Sequence, residues 1–259
     1  MQILYTKINK GIIIHYICIL FQDSVIILIQ LIYLTNCKFD TCLNYCTFAP
    51  VNLKLKNLFM QKNETVQPVL AADPAPLGLT GLAMVTLVAA SQKLGWTTGL
   101  SMAIPWAIFL GGIAQLMASI YDFKNNNLFG ATAFGGYGLF WIAVAMSWMI
   151  KTGALGATLL AGVDGGQLGF AFVGYFIFSV FVTVAAFKTN KVLIAILVLI
   201  DVLFLGLFLD TFKMGEYWHT IAAWSELCIS LLGFYAAGAN LLNKTYGRTI
   251  LPLGKAIWQ

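Results

Sequence analysis

Charged residues are scarce in this chain of 259 residues: only 10% are Asp, Glu, Lys or Arg, whereas 60% are hydrophobic. Soluble domains usually carry about 25% charged residues, so most of the surface of this protein cannot be exposed to water. The mean hydropathy is +0.85, and the apolar runs reach the roughly 20 helical residues that cross a hydrocarbon layer. The sequence therefore predicts a polytopic membrane protein of the all-α class.

Residue patterns that would indicate other functions are missing. The 15 basic residues outnumber the 10 acidic ones but stand singly between apolar runs, which argues against nucleic-acid binding. The five cysteines form no CxxC pair, so we predict no metal site and no cofactor. No HExxH, P-loop or GxSxG sequence occurs, and we therefore predict no catalytic residues and no enzyme.

The first 59 residues differ in composition from the rest, being rich in Ile, Leu, Tyr, Asn, Lys and Cys. Their two apolar blocks, Ile12–Phe21 and Val25–Leu34, flank Asp23. A single span through both blocks would place Asp23 near mid-bilayer, at a cost of about 2.5–3.5 kcal/mol. We expect residues 1–59 to be an atypical extension from a mis-assigned upstream start, with the native start at Met60. An extra anchor helix is the alternative.

From residue 73 onward, six apolar stretches predict transmembrane helices at roughly 76–92, 101–121, 129–150, 167–187, 191–210 and 219–242. They form a six-span transport domain over residues 73–244, preceded by a polar segment over 60–72 and followed by a C-terminal tail over 245–259. Six spans put both termini on one side of the membrane. From Met60 onward, basic residues on that side are Lys62, Lys124, Lys188, Lys191, Lys244, Arg248 and Lys255, against Lys93, Lys151 and Lys213 on the other. The positive-inside rule therefore predicts that both termini are cytoplasmic.

Three segments carry more specific information. In the first, Asp73-Pro-Ala-Pro-Leu-Gly-Leu79, the Asp-Pro pair predicts the N-cap and first residue of a helix. The second runs from Gly111-Gly-Ile-Ala-Gln115 through Tyr121–Lys124 and Phe129–Phe134 to Tyr137–Trp141, and the third is Tyr246–Pro252. In this order and at these places, the three segments resemble the acetate uptake transporter family, also called succinate–acetate permeases, over residues 73–254.

This resemblance implies a six-helix protomer with its own pore, assembled into a homo-hexamer in the plasma membrane and surrounded by lipid. It implies transport of acetate and related small carboxylates such as succinate, either as a channel or by proton-linked uptake. It also implies a pore constriction at Leu82, Tyr137 and Ile200, drawn from spans one, three and five. The family has Phe where Leu82 stands and Asn where Asp73 stands, so we expect a wider or more aliphatic gate here.

A path for a small anion needs hydrogen-bond donors inside the membrane. The start of the first helix supplies backbone N–H groups at the positive end of a helix dipole, and neutral donors follow in spans two and three. The alternatives are an acid that only caps its own helix and an amide that only bridges helices. We therefore predict a substrate path that includes Asp73, Ala75, Leu77, Gly78, Gln115 and Thr132.

Two acids, Asp201 and Glu226, fall inside predicted spans. An acid in a membrane span is expensive enough to be a functional hypothesis, and we predict both as candidates for proton coupling. The alternative for Asp201 is a structural hydrogen bond to a neighbouring helix, and for Glu226 a place in the interfacial layer. At the level of function, the alternatives to carboxylate transport are ammonium or ammonia transport and a structural membrane protein without transport.

Overall fold

The computed structural model of the protein describes residues 72–258. Six helices in this range are long and apolar enough to cross a membrane. These are α1 (Ala75–Lys93), α2 (Ala103–Lys124), α3 (Leu128–Lys151), α5 (Gly165–Ala186), α6 (Lys191–Thr211) and α7 (Tyr217–Tyr246), with a short helix α4 (Ala157–Ala161) between α3 and α5.

The six predicted spans and the all-α class are thereby confirmed, with bounds that differ by a few residues. The largest difference is at the last span, which continues to Tyr246. The predictions made for residues 1–59, and for all but the end of 60–72, lie outside the described residues.

Polar residues set where three of the spans begin. The side chains of Asn127, Asp164 and Asn190 each accept a hydrogen bond from a backbone N–H of the next turn, at 3.2, 2.8 and 2.9 Å. Such caps satisfy N–H groups that have no partner within the helix. The first span differs from the prediction, because Pro74 occupies its N-cap position and Asp73 lies one residue earlier.

The six spans pack in a ring. Helix α1 packs against α2 on one side and α7 on the other. Helix α7 packs against α6, α6 against α5, and α2 against α3. A smaller contact between α3 and α5 closes the ring. The interior of the ring therefore receives side chains from all six spans.

Helix α2 contains a π-helical segment over Ala107–Ala114, where it passes close to its neighbours. A Cβ atom on Gly81 of α1 would collide with the backbone oxygen of Leu110. A Cβ atom on Gly111 would lie 2.8 Å from the side chain of Trp141 on α3. These glycines allow the close approach of helices that membrane bundles favour. Wide turns of this kind often occur at functional sites.

The third sequence motif folds back along α7. Gly247 ends this helix with a φ of 62°, in the left-handed region that glycine adopts without strain. The side chain of Asn243 then bonds both the N–H and the carbonyl of Leu251, at 3.0 and 2.8 Å. The hydroxyl of Tyr235 donates to the carbonyl of Pro252 at 2.8 Å. This motif therefore anchors the C-terminal segment to the last span.

Candidate functional site

A cavity of about 810 Å³ lies inside the ring of spans, and all six spans contribute to its wall. Asn127, Lys188 and Asn190 line it at the end where α3 and α6 begin. Most other lining side chains are aliphatic or aromatic. A largely apolar cavity with a few placed polar groups is the usual form of a small-molecule site.

The three residues predicted as the pore constriction lie together at the inner end of this cavity. Leu82, Tyr137 and Ile200 come from α1, α3 and α6, and all three line the cavity. Their side chains are buried within the ring, with exposed fractions of 6%, 5% and 3%. We call these three residues the girdle. That the girdle limits passage stays a prediction.

Tyr137 is held in place on several sides. Its hydroxyl and that of Ser179 on α5 are 2.9 Å apart. Its ring stacks on Phe204 of α6 with centroids 6.4 Å apart, and meets Phe178 edge-on at 5.6 Å. Each hydroxyl can donate one hydrogen and accept others, so when Ser179 donates to Tyr137, the phenolic hydrogen is available to another acceptor.

Asp201 lies next to the girdle, where it faces α5. One oxygen of its carboxyl group accepts a hydrogen bond from Thr183 at 2.8 Å, and the other is buried without a partner. Ser179 lies beside the same carboxyl group. A polar chain therefore runs from Tyr137 through Ser179 to Asp201. The hydrogen bond to α5 that was expected under a structural role is present, and the unpartnered oxygen leaves the proton-coupling hypothesis open.

Gln115 lines the cavity and brings an acceptor as well as the donor that was expected. Its side-chain nitrogen donates to the carbonyl of Gly111 at 2.8 Å, and its side-chain oxygen is buried without a partner. A backbone carbonyl only accepts, so the nitrogen must face Gly111. One amide hydrogen remains beyond this bond, so the expectation that Gln115 offers a donor to the path stays a prediction, and its oxygen adds an acceptor that was not expected. Thr132 also lines the cavity, as predicted for a path residue.

The start of α1 also departs from expectation. The N–H of Ala75 donates to the carboxylate of Asp73 at 3.1 Å, and those of Leu77 and Gly78 both donate to the carbonyl of Pro74 at 3.1 Å. The expectation that these three N–H groups are free to meet an anion is therefore wrong. Ala75 still lines the cavity, whereas Leu77 is exposed at the outer surface of the bundle.

Asp122 is a cavity residue that the sequence analysis placed in a connection instead. It lies in the last turn of α2, is only 2% exposed and lines the cavity. One of its oxygens accepts from Asn127 at 2.9 Å, and the other is buried without a partner beside Gly130. The ion pair of Lys244 with Asp73 lies nearby and offsets the charge of Asp73. The only signal in the sequence was the position of Asp122 within the second motif.

Glu226 lies at the other end of the bundle. Its side chain is 1% exposed and forms an ion pair with Lys93, the last residue of α1, at 2.6 Å. The cavity, by contrast, lies toward the start of α1. Glu226 is thus covered by protein near the end of the first span, and its role in proton coupling stays a prediction.

The family comparison can now be set beside this geometry. The sequence model of the GPR1/FUN34/yaaH family matches residues 57–254. The chain belongs to this family. This membership confirms the resemblance drawn from the three motifs.

Relatives in the GPR1/FUN34/yaaH family have been named for transport. The succinate-acetate/proton symporter SatP of Escherichia coli (strain K12) is 32% identical over 187 residues, which cover 71% of this chain and 96% of SatP. The ammonia transport outward protein 2 of Saccharomyces cerevisiae is 32% identical over 199 residues, covering 73% of this chain and 70% of that protein.

A solved structure of the bacterial acetate channel SatP matches with a TM-score of 0.66 and 30% sequence identity. The match covers 71% of this chain and 99% of the SatP chain. The protein is thus a multi-pass membrane protein with the fold of that channel.

Proposed function

We propose that this protein moves acetate and related small carboxylates across a membrane, through the central cavity and past the girdle. One observation carries the proposal: in a family with named acetate transporters, all six spans wall a cavity that ends at Leu82, Tyr137 and Ile200. A largely apolar cavity with one phenol at its inner end fits a ligand with a small hydrocarbon part and one polar head.

The polar groups at the site suit a carboxyl group in either protonation state. The phenolic hydrogen of Tyr137 can be donated to a carboxylate oxygen when Ser179 supplies the other hydrogen bond. The side-chain oxygen of Gln115 can accept from a protonated acid. Moving a bare carboxylate into an apolar medium costs on the order of tens of kcal/mol by Born reasoning. The phenol contact lowers this cost for the anion, and the contact with the Gln115 oxygen serves the protonated acid.

Proton coupling is assigned to Asp201 in this proposal. Its free oxygen and its neighbour Ser179 connect it to the girdle tyrosine. When Asp201 carries a proton, a carboxylate can approach the girdle without repulsion from a like charge; when Asp201 is ionised, the approach is disfavoured. Glu226 already has Lys93 as its partner and lies away from the cavity, so it is the weaker of the two candidates.

The proposal includes a location and an assembly. We place the protein in the plasma membrane with both termini in the cytoplasm, because the basic residues at the turns favour that orientation. Lys124, Lys188 and Lys191 lie at the end of the bundle where Asn127 and Asn190 line the cavity, so this end faces the cytoplasm. We also propose a homo-hexamer, as the resemblance implies.

The second candidate function is ammonium or ammonia transport. The observation that favours it is the likeness to the ammonia transport outward protein 2. The unpartnered acceptor oxygens of Gln115 and Asp122 at the cavity would also suit a ligand that donates hydrogen bonds.

The test is flux into proteoliposomes that contain the full chain, with labelled acetate, succinate and methylammonium as separate substrates. Protein-free liposomes are the control, because undissociated acetic acid crosses lipid unaided. We expect saturable acetate and succinate uptake above this control, accelerated by an inward proton gradient. Acetate and succinate fluxes no faster than in protein-free liposomes would refute the proposal, and methylammonium flux alone would favour the second candidate.

A separate pair of variants in the same flux assay tests the role of Asp201. We expect Asp201→Asn to lose the dependence of uptake on the proton gradient. Asp164→Asn is the matched control, because it makes the same acid-to-amide change at a helix cap, where Asn serves equally well. Full retention of gradient-dependent uptake by Asp201→Asn would contradict the assignment.

A further inference from the structure

A second layer of aromatic side chains follows the girdle. One helical turn beyond Tyr137 on α3 comes Phe140, and one turn beyond Ile200 on α6 comes Phe204. Their exposed fractions are 7% and 1%. The two rings meet edge to face with centroids 5.0 Å apart, and the cavity stops short of both.

The ring of Phe204 connects this second layer to the girdle. It stacks on Tyr137 on one side, with centroids 6.4 Å apart and planes 17° from parallel. It also stacks on Tyr175 of α5, at 5.7 Å and 22°. A ligand that passes Tyr137 along the ring interior therefore meets the edge of Phe204 next, because its faces are covered by the two tyrosine rings.

The polar groups around this layer are already engaged. The hydroxyl of Tyr175, whose ring contacts both Phe140 and Phe204, donates to the carbonyl of Gly136 at 3.1 Å. On the α1 side of the interior, the hydroxyl of Thr86 donates to the carbonyl of Leu82 at 2.7 Å. A narrow passage without free polar groups excludes water and ions by dewetting.

We infer that Phe140 and Phe204 form a second barrier of the transport path, distinct from the girdle, which sets the upper size of the carboxylic acid that passes. This inference rests on the proposed function. The girdle closes the inner end of the cavity, and the aromatic pair closes the route from there to the far side. Because edge-to-face rings are held by packing alone, rotation of one ring opens the layer without breaking a hydrogen bond.

The experiment compares initial uptake rates of acetate and butyrate by proteoliposomes containing Phe204→Leu, Phe140→Leu or the unmodified chain. The packing control is Phe172→Leu. Phe172 is also 7% exposed, and its ring centroid lies 6.2 Å from that of Phe140, but it belongs to α5 and is not one of the two barrier residues. We expect both barrier variants to raise acetate uptake several-fold and to give butyrate uptake that the unmodified chain lacks. We expect the control variant to change neither rate.

Thermal unfolding of each variant in detergent separates a barrier from ordinary core packing. If Phe204→Leu and Phe140→Leu lose stability as Phe172→Leu does and show no gain in uptake of either acid, the inference is overturned. Two variants on different helices keep the test informative when one of them fails to fold. Absence of acetate uptake by the unmodified chain would instead refute the proposed function, so the two failures are distinguishable.

Discussion

The buried ion pair between Lys93 and Glu226 predicts a large and asymmetric response to mutation. The two side chains are 16% and 1% exposed, and their charged atoms are 2.6 Å apart. Removing one partner of a buried pair costs about 3–5 kcal/mol, because the other charge is left buried and uncompensated. Replacing both partners by apolar residues of similar volume is often neutral or stabilising. We therefore expect Lys93→Met to be strongly destabilising and the double variant Lys93→Met/Glu226→Leu to recover most of the loss.

The position of each partner determines the asymmetry. Lys93 is the last residue of α1 and is partly exposed, so in Glu226→Leu its long side chain can reach the polar interface. The Glu226 side chain is only 1% exposed and cannot reach the interface in this way. Lys93→Met is therefore expected to lower the stability more than Glu226→Leu does. On the scaling of globular proteins of this size, its loss corresponds to a fall in unfolding temperature of roughly 6–20 °C. The deficit should shrink in acid, where the lone carboxyl group carries a proton and no charge is buried.

The assay is thermal unfolding of the purified full chain in detergent, followed by tryptophan fluorescence, for the unmodified chain, both single variants and the double variant. The four midpoints form a double-mutant cycle that isolates the interaction between the two side chains. A Lys93→Met midpoint equal to that of the unmodified chain would refute the reasoning. So would a double variant less stable than either single variant.

Two further predictions concern helix contacts. We expect Gly111→Ala to destabilise the protein by about 1–3 kcal/mol, because its Cβ would press on α3. Gly238→Ala, with nothing within 4 Å, should be neutral or slightly stabilising in the same unfolding assay; equal effects of the two changes would contradict the packing argument. The ring nitrogens of His219 lie 3.1 Å from a carboxylate oxygen of Asp210 and 3.2 Å from the carbonyl of Lys93. His219 thus links α7 to the ends of α6 and α1, so His219→Ala should destabilise the protein by about 0.5–1.5 kcal/mol in the same assay, and an unchanged midpoint would contradict this.

The six spans were predictable from the sequence because insertion into lipid depends on the apolarity of each stretch, which is a local property. The observed helices Leu128–Lys151 and Lys191–Thr211 follow the predicted ranges closely. That Leu82, Tyr137 and Ile200 form one site was predicted from the family resemblance alone, since an aliphatic residue in a span usually serves only to pack against its neighbours. The structure places the three together at one end of a cavity.

Hydrogen-bond partners were not predictable in the same way. Gln115 reads as a donor in the sequence, yet one of its two amide hydrogens bonds the carbonyl of Gly111 and its side-chain oxygen is left without a partner. Asp122 reads as part of a polar turn, yet the packing of the neighbouring helices buries it against the cavity.

The sequence by itself determined that residues 73–244 hold six membrane spans, where each of these spans lies, and to which family the chain belongs. Only the tertiary structure decided which polar groups face the cavity and which are already engaged. Glu226, for example, finds its partner 133 residues away in the chain. The physical reason is that partition into lipid is decided residue by residue along a segment, whereas burial and hydrogen bonding depend on which helix faces lie against each other after the ring has closed.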